Sequence, residues 1–283
     1  MNQSASQSDF LVEMATASRK RVTAARATLA EAELLARALD AAAAPQLRLS
    51  SRRFDLIAEV KFRSPAAGKL REGSEASVMA RVAGYAEAGA AAVSVLTEPT
   101  RFDGSMAHLE TAVRALAGRI PAMRKDFLVD PYQVMEARLA GAGGVLVVLR
   151  MLDDAEANAL VECAARLKLF VLLEAFDEQD IPRAHALVRQ YGTQAQLLVG
   201  LNCRDLATLK VVPGRLEQLV KTLPDSVPRV AESGVATAAD AGRVAVAGYD
   251  VALVGSALMD ALEPLQLVRA MLSSGRNERA RRS

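Results

Sequence analysis

A chain of 283 residues, 51% of them apolar, can bury one large core, and α/β barrels commonly run to about 250 residues as a single domain. Lys and Arg number 35 against 33 Asp and Glu, so a net charge of +2 argues against a nucleic-acid or membrane partner. Trp is absent and aromatics make up only 4%, leaving Ala, Val and Leu to fill the core, while Cys163 and Cys203 offer neither a disulfide framework nor metal-ligand spacing, as befits a reducing cytoplasm.

The chain begins with a polar stretch, Met1 to Asp9, that lacks the apolar run of a signal peptide. No apolar stretch reaches the roughly 18 residues of a membrane span. From Phe10 onward, Leu11, Met14, Ala17, Val22, Leu29, Leu34, Leu35 and Leu39 recur at helical spacing, and Pro45 ends the pattern. This predicts an N-terminal helical extension over residues 1–50, one or two helices that pack ahead of the first strand.

Beyond it, apolar runs alternate with helix-length segments. Strands are predicted at 54–60, 91–96, 121–124, 144–149, 169–174, 196–201, 228–232 and 251–254. Helices are predicted near 75–88, 106–117, 131–141, 153–167, 178–190, 214–222, 237–247 and 262–273. Asp153, Asp177 and Thr237 stand where N-caps belong, and Gly89, Gly118, Gly192 and Gly248 where left-handed C-caps belong. Strands separated by single helices imply parallel βαβ units. Eight such units close a (βα)8 TIM barrel, here over residues 51–273, whereas five or six would leave an open sheet. The Arg-rich stretch 274–283 is expected to be a disordered basic tail.

Burying a lone charge is expensive, so polar residues should gather where buried strands emerge. The predicted strands end in this way, always at their C-terminal ends. Leu56-Ile57-Ala58 runs into Glu59-Val60-Lys61, Phe170 to Leu173 into Glu174, and Leu198 to Leu201 into Asn202-Cys203-Arg204. Val230-Ala231 runs into Glu232-Ser233-Gly234, and Val251 to Val254 into Gly255-Ser256. A barrel enzyme builds its single mouth from such ends.

Strand alternation puts Glu59 and Lys61 on one face, where each holds the other charged, and sets Lys125 against Arg124 across the pleat. A lysine at a barrel mouth serves as general acid, Schiff-base nucleophile or anion anchor. Glu174, flanked by Leu173 and Ala175, is a candidate carboxylate with a raised pKa, or a partner for Lys61 or Lys125. The turns at Ser233-Gly234 and Gly255-Ser256 follow the seventh and eighth strands, the usual phosphate cradle of a barrel, and Arg204 offers a fixed charge for that anion. Ser64-Pro65 and Gly68 lie in a first loop of about fourteen residues, longer than ordinary βα loops and therefore a functional one. Alternation along the sixth strand turns Cys203 away from Asn202 and Arg204, toward the helices, as a packing thiol. His108 and His185 fall within helical segments, and no second His accompanies a candidate nucleophile, so neither a Ser-His-Asp arrangement nor a metal site is supported.

Taken together, these motifs resemble the indole-3-glycerol phosphate synthase family. The resemblance rests on Ile57-Ala58-Glu59-Val60-Lys61-Phe62-Arg63-Ser64-Pro65, on Val93 to Thr97 with Phe102 and Gly104-Ser105, and on Arg124-Lys125-Asp126-Phe127 followed by Asp130-Pro131-Tyr132-Gln133. Leu173-Glu174, Gly200-Leu201-Asn202 with Arg204-Asp205-Leu206, Ala231 to Gly234 and Leu253 to Met259 complete it, in order from about residue 50 to 260. The N-terminal arm resembles the family's extension as well.

The resemblance implies a lyase that needs no cofactor. It would convert 1-(2-carboxyphenylamino)-1-deoxyribulose 5-phosphate to indole-3-glycerol phosphate for tryptophan synthesis, with loss of CO₂ and water. Lys125 would be the general acid at the ketone oxygen, and Lys61 would bind the anthranilate carboxylate, although the resemblance leaves open which lysine acts at which step. Glu174 would be the paired acid/base group, Glu59 and Asn202 would serve the dehydration, and Glu232 would orient the lysine and the substrate hydroxyls. Ser64, Arg204, Ser233, Gly234, Gly255 and Ser256 would hold the phosphate, and Leu96, Phe102, Phe127 and Leu206 would wall the ring. Association with other tryptophan-pathway enzymes is a further implication.

Departures mark a divergent member. Ala66 replaces the second Ser of Ser-Pro-Ser, Cys203 the second Asn of Asn-Asn-Arg, Gly143-Gly144 part of Gly-Ala-Asp-Ala, and Ala175-Phe176 an acidic-His pair. None removes a proposed acid, base or phosphate ligand. The alternatives are a paralogue acting on a related sugar phosphate in a specialised pathway, a phosphoribosylanthranilate isomerase-like barrel, or a ligand-binding barrel without turnover.

Overall fold

The computed structural model describes residues 3–51, 54–65, 68–70, 74–205 and 208–281, without the side chains of residues 3–9, 64 and 69. Eight parallel strands close a barrel: β1 (Asp55–Val60), β2 (Ala92–Leu96), β3 (Ala122–Lys125), β4 (Gly144–Val148), β5 (Phe170–Ala175), β6 (Leu197–Asn202), β7 (Arg229–Glu232) and β8 (Val251–Val254). Each pairs with its neighbours in sequence, and β8 closes on β1 in the register Asp55 to Val251 through Ala58 to Val254. The outer helices are α3 (Glu75–Ala88), α4 (Met106–Leu116), α5 (Pro131–Leu139), α6 (Asp154–Arg166), α7 (Ile181–Tyr191), α8 (Arg215–Leu219), α9 (Ala238–Ala247) and α10 (Pro264–Ala280), preceded by α1 (Gln3–Thr28) and α2 (Glu31–Asp40). The structure is thus the expected TIM barrel with an N-terminal helical arm.

Period-two alternation sorts the strand residues into two cores. Ile57, Met123, Leu146, Phe170, Leu172, Leu198, Val230 and Leu253 point inward and fill the barrel. Their neighbours Leu56, Ala58, Val93, Val145, Val171, Leu173 and Val199 point outward, against the helices. Gly144 leaves room for the Phe170 ring, into which a Cβ would run. Mixing bulky rings with glycine in this way packs the interior without voids.

The arm is bonded to the barrel at both ends. Tyr132 donates its hydroxyl to the carbonyls of Ala25 and Leu29 at 3.1 and 2.9 Å, and Arg138 donates to those of Ala41 and Ala42. Leu11 on α1 and Leu47 in the linker both join the interior cluster.

Three expectations are corrected. Asp177 does not cap α7, which begins at Ile181 after Asp180; it accepts from the Gln179 amide at 3.0 Å and pairs with Arg150. Gly89, Gly118 and Gly248 take positive φ as expected, but Gly192 has φ −60°; it is small because a Cβ would meet the Val188 carbonyl oxygen at 2.6 Å. The stretch from 274 onward is not a disordered tail as far as Ala280, since α10 continues through it. Gly275 lies against the buried Phe54 ring, Arg276 donates to the Phe54 carbonyl at 3.0 Å and pairs with Asp55 at 2.7 Å, and Arg279 pairs with Asp250 at 3.0 Å. Buried carboxylates recruit the arginines that composition alone assigns to solvent.

Asp55 is 3% exposed, so Arg276→Ala should lower the unfolding free energy by about 2 kcal/mol, the worth of a hydrogen bond to a buried charged group. Urea denaturation checks this, and the residues at the barrel mouth should be undisturbed.

Candidate active site

The polar strand ends converge on a cavity of about 310 Å³ at the C-terminal mouth. Register explains the convergence. Asn202 lies beside Glu232, and Glu232 beside Leu253, so neighbouring strands deliver their last inward side chains to one level. Lys125 reaches into the centre, with its ammonium 3.6 Å from Glu232, 3.7 Å from Glu174 and 3.9 Å from Glu59. Lys61 pairs with Glu59 at 2.7 Å, as alternation predicts. Arg124 points the other way, toward the carbonyl of Gln133 and the carboxylate of Glu136. Asn202 donates to Glu174 at 2.8 Å and accepts from the Ser233 hydroxyl at 2.9 Å and the Arg204 amide at 3.0 Å.

Room for these charges is made by glycine. A Cβ at Gly200 would collide with the Glu232 carboxylate, and one at Gly255 with Glu59 and Lys61. Burial pulls the Lys125 ammonium toward neutrality, but Glu174, Glu232 and Glu59 outweigh it and raise its pKa. Burial likewise works against the charge on Glu59, yet Lys61 and Lys125 hold its carboxyl below the usual range. It is Glu232 whose pKa rises well above that range, pushed up by burial and the adjacent Glu174 against the pull of Lys125.

Leu96, Phe102 and Phe127 line one side of the cavity. The Phe102 and Phe127 rings stand 6.1 Å apart, and Phe10 meets Phe127 edge-on at 5.8 Å. Phe10 comes from α1, so the arm supplies a wall of the mouth. Sequence periodicity marks Phe10 only as a helix position, because the fold alone brings it here. Phe176, Val148, Leu209 and Val211 are also lining residues that the motifs do not single out.

On the opposite side, Ser233 and Gly234 take φ of 64° and 69°, and a Cβ at Gly234 would press on Cys203 at 3.0 Å. Ser233, Gly234, Gly255, Ser256 and Arg204 share the cavity with the lysines. Leu206 and Ala66 lie outside the described residues, as does the Ser64 side chain. Cys203 is 1% exposed within the outer core, where burial pushes its thiol pKa up. His185 bonds the Thr222 carbonyl at 2.9 Å, far from this chemistry. Among the described residues no group of three His, Cys, Asp or Glu is placed to hold a metal ion, and no helix is long and apolar enough to cross a membrane.

A family model described as indole-3-glycerol phosphate synthase matches residues 11–271. The indole-3-glycerol phosphate synthase of Micrococcus luteus is 44% identical over 215 residues, 76% of each chain. That of Rhodococcus jostii is 36% identical over 259 residues, 92% of this chain and 91% of the relative. Among solved structures, 3-hexulose-6-phosphate synthase from Salmonella typhimurium aligns with a TM-score of 0.59 at 16% identity, covering 81% of this chain and all (100%) of the other. A thiamine phosphate pyrophosphorylase from Pyrococcus furiosus aligns with a TM-score of 0.56 at 15% identity, over 80% and 98%. These two likenesses are of fold alone.

Two outcomes follow from the environments of Glu232 and Cys203. A carboxyl with a raised folded-state pKa binds its proton more tightly folded than unfolded, so its contribution to stability falls as pH rises above its unfolded value. Glu232→Gln keeps the neutral form at every pH. The variant should therefore be more stable than the parent at neutral pH, with the gap closing toward pH 4 in thermal melts across that range. Cys203 should react with iodoacetamide far more slowly in the native protein than in urea, since the thiolate is the reactive form and burial opposes it.

Proposed function

The chain belongs to the indole-3-glycerol phosphate synthase family, and on that footing we propose that it is a carbon–carbon lyase closing the indole ring of 1-(2-carboxyphenylamino)-1-deoxyribulose 5-phosphate, with release of CO₂ and water. The observation that carries this reading is the Lys125 ammonium, held within 3.9 Å of Glu59, Glu174 and Glu232 beside a wall of Phe10, Phe102 and Phe127. An apolar slot for an aromatic ring next to a fixed proton source is what this ring closure requires.

In our reading the anthranilate ring lies against the Phe rings and Leu96, and the phosphate against Ser233, Gly234, Gly255, Ser256 and Arg204, with Ser64 approaching from the first loop. The ring carbon bearing the carboxylate attacks the ketone carbon while Lys125 gives its proton to the ketone oxygen. The carboxylate leaves as CO₂ and its bonding electrons return to the ring. Lys61 is the cation for that carboxylate before it leaves, and so it offsets the charge only while the charge exists. The new hydroxyl then takes up a proton and departs as water, while the neighbouring nitrogen-bearing carbon gives up a proton to a carboxylate and the double bond of the indole forms between the two carbons. Glu174, bonded to Asn202, exchanges protons with the lysines, and Glu59 and Asn202 assist the dehydration. Glu232, whose pKa is raised by burial and Glu174, orients a substrate hydroxyl and holds Lys125 at 3.6 Å. The free thiols Cys163 and Cys203 suit a reducing cytoplasm.

Incubating the purified protein with the carboxyphenylamino sugar phosphate and following indole fluorescence tests the assignment; no product at any enzyme concentration would sink it. Lys125→Met should cut kcat by about a hundredfold or more, the usual worth of general acid assistance. Arg204→Ala should raise KM more than it lowers kcat, because the phosphate is remote from the reacting atoms and its contacts serve ground and transition states alike.

A further inference from the structure

Arg21 lies on α1, far in sequence from the loops it touches, and stands between two buried carboxylates. Its Nη2 donates to Asp126 Oδ1 at 2.7 Å across a separation of 105 residues, and its Nη1 stands 3.6 Å from Glu98 Oε1. Glu98 and Asp126 are 0% and 2% exposed. Each organises a loop that ends in a ring of the pocket. The Oδ1 of Asp126 that accepts from Arg21 also accepts the Phe127 amide at 2.8 Å, while Oδ2 accepts from Thr97 at 2.8 Å and Arg124 at 3.3 Å. Glu98 caps the turn Pro99–Phe102, accepting from the Thr100 amide at 2.9 Å and the Arg101 amide at 2.6 Å. Glu13, about two turns nearer the start of α1, holds Arg101 at 2.7 Å.

We propose that Arg21 is a positioning residue that sets the gap between Phe102 and Phe127, and thereby the fit of the aromatic ring of the substrate. Asp126 keeps the buried Arg124 when Arg21 is removed, but Glu98 then has only the solvent-exposed Arg101 among its charged partners in the described residues, so losing Arg21 weakens the counter-charge of a buried carboxylate beside Phe102. Only a planar, forked guanidinium can serve both carboxylates; a lysine is a point charge and reaches one. The inference rests on the proposed substrate. It concerns the ring and leaves the phosphate and the proton transfers to other residues.

The test compares the parent with Arg21→Met, Arg21→Lys and, as a control destabilised at the opposite end of the barrel, Arg276→Ala. Two quantities are read: kcat and KM for turnover, and the Kd of the substrate reduced at its ketone, which binds but cannot close. Arg21→Met should raise KM and Kd by roughly tenfold, the scale of one or two lost methylene contacts in an apolar pocket, with a smaller change in kcat. Arg21→Lys should fall between it and the parent, and it carries the test alone if Arg21→Met does not fold. Arg276→Ala should lose stability with KM and Kd unmoved. The proposal is overturned if Arg21→Lys or Arg21→Met binds the reduced substrate as the parent does, or if Arg276→Ala weakens binding equally. A parent that binds the reduced substrate yet turns nothing over would instead overturn the functional reading.

Discussion

An ammonium group in a protein interior persists only if its desolvation is offset by opposite charge close at hand, and Lys125 meets that condition three times over. Its carboxylate neighbours come from β1, β5 and β7, so no single strand or loop could have built the arrangement. Barrel closure is what brings those strand ends within reach of one nitrogen. Most other features of the mouth follow from the same requirement. Gly200 and Gly255 are bare because the carboxylates need their space, Asn202 braces Glu174, and the pKa of Glu232 rises because burial and the adjacent Glu174 outweigh the pull of Lys125.

The barrel is legible in the sequence because two periodicities alternate without interruption, and every strand boundary falls within about two residues of its expected place. Glu59, Lys61, Lys125, Glu174, Asn202 and Glu232 are legible for a thermodynamic reason: a charge at the end of an apolar strand has few places to go other than the mouth. Phe10 and Arg21 are not. Each is one position on an amphipathic helix, and nothing in its neighbours tells a contact with the barrel mouth from a contact with solvent. Phe176 is hidden differently. It follows the end of β5 on the inward face shared by Phe170, Leu172 and Glu174, but an apolar residue there carries no signal that separates the cavity wall from the packed interior. The end of α10 is not legible because an arginine-rich stretch ordinarily faces water, and the partners that hold Arg276 and Arg279 lie in distant parts of the sequence.

Cys203 is a departure at a strand end that leaves the side chains of the mouth in place. It sits between two residues of the mouth but faces the helices, against Gly234. The thiol therefore affects the reaction only through the shape of the turn it supports, and that turn carries Ser233 and Gly234 toward the proposed phosphate.

The union of α10 with β1 bears on how the chain reaches this state. Phe54 and Asp55 open the first strand of the barrel, yet the groups that cover and neutralise them, Gly275 and Arg276, lie 221 residues away in sequence for the Asp55 pair. On a ribosome the first strand would emerge with its aromatic ring uncovered and without its arginine partner, and would stay so until α10 had been made. That helix then acts as a clasp, and final cohesion of the barrel waits on synthesis of α10.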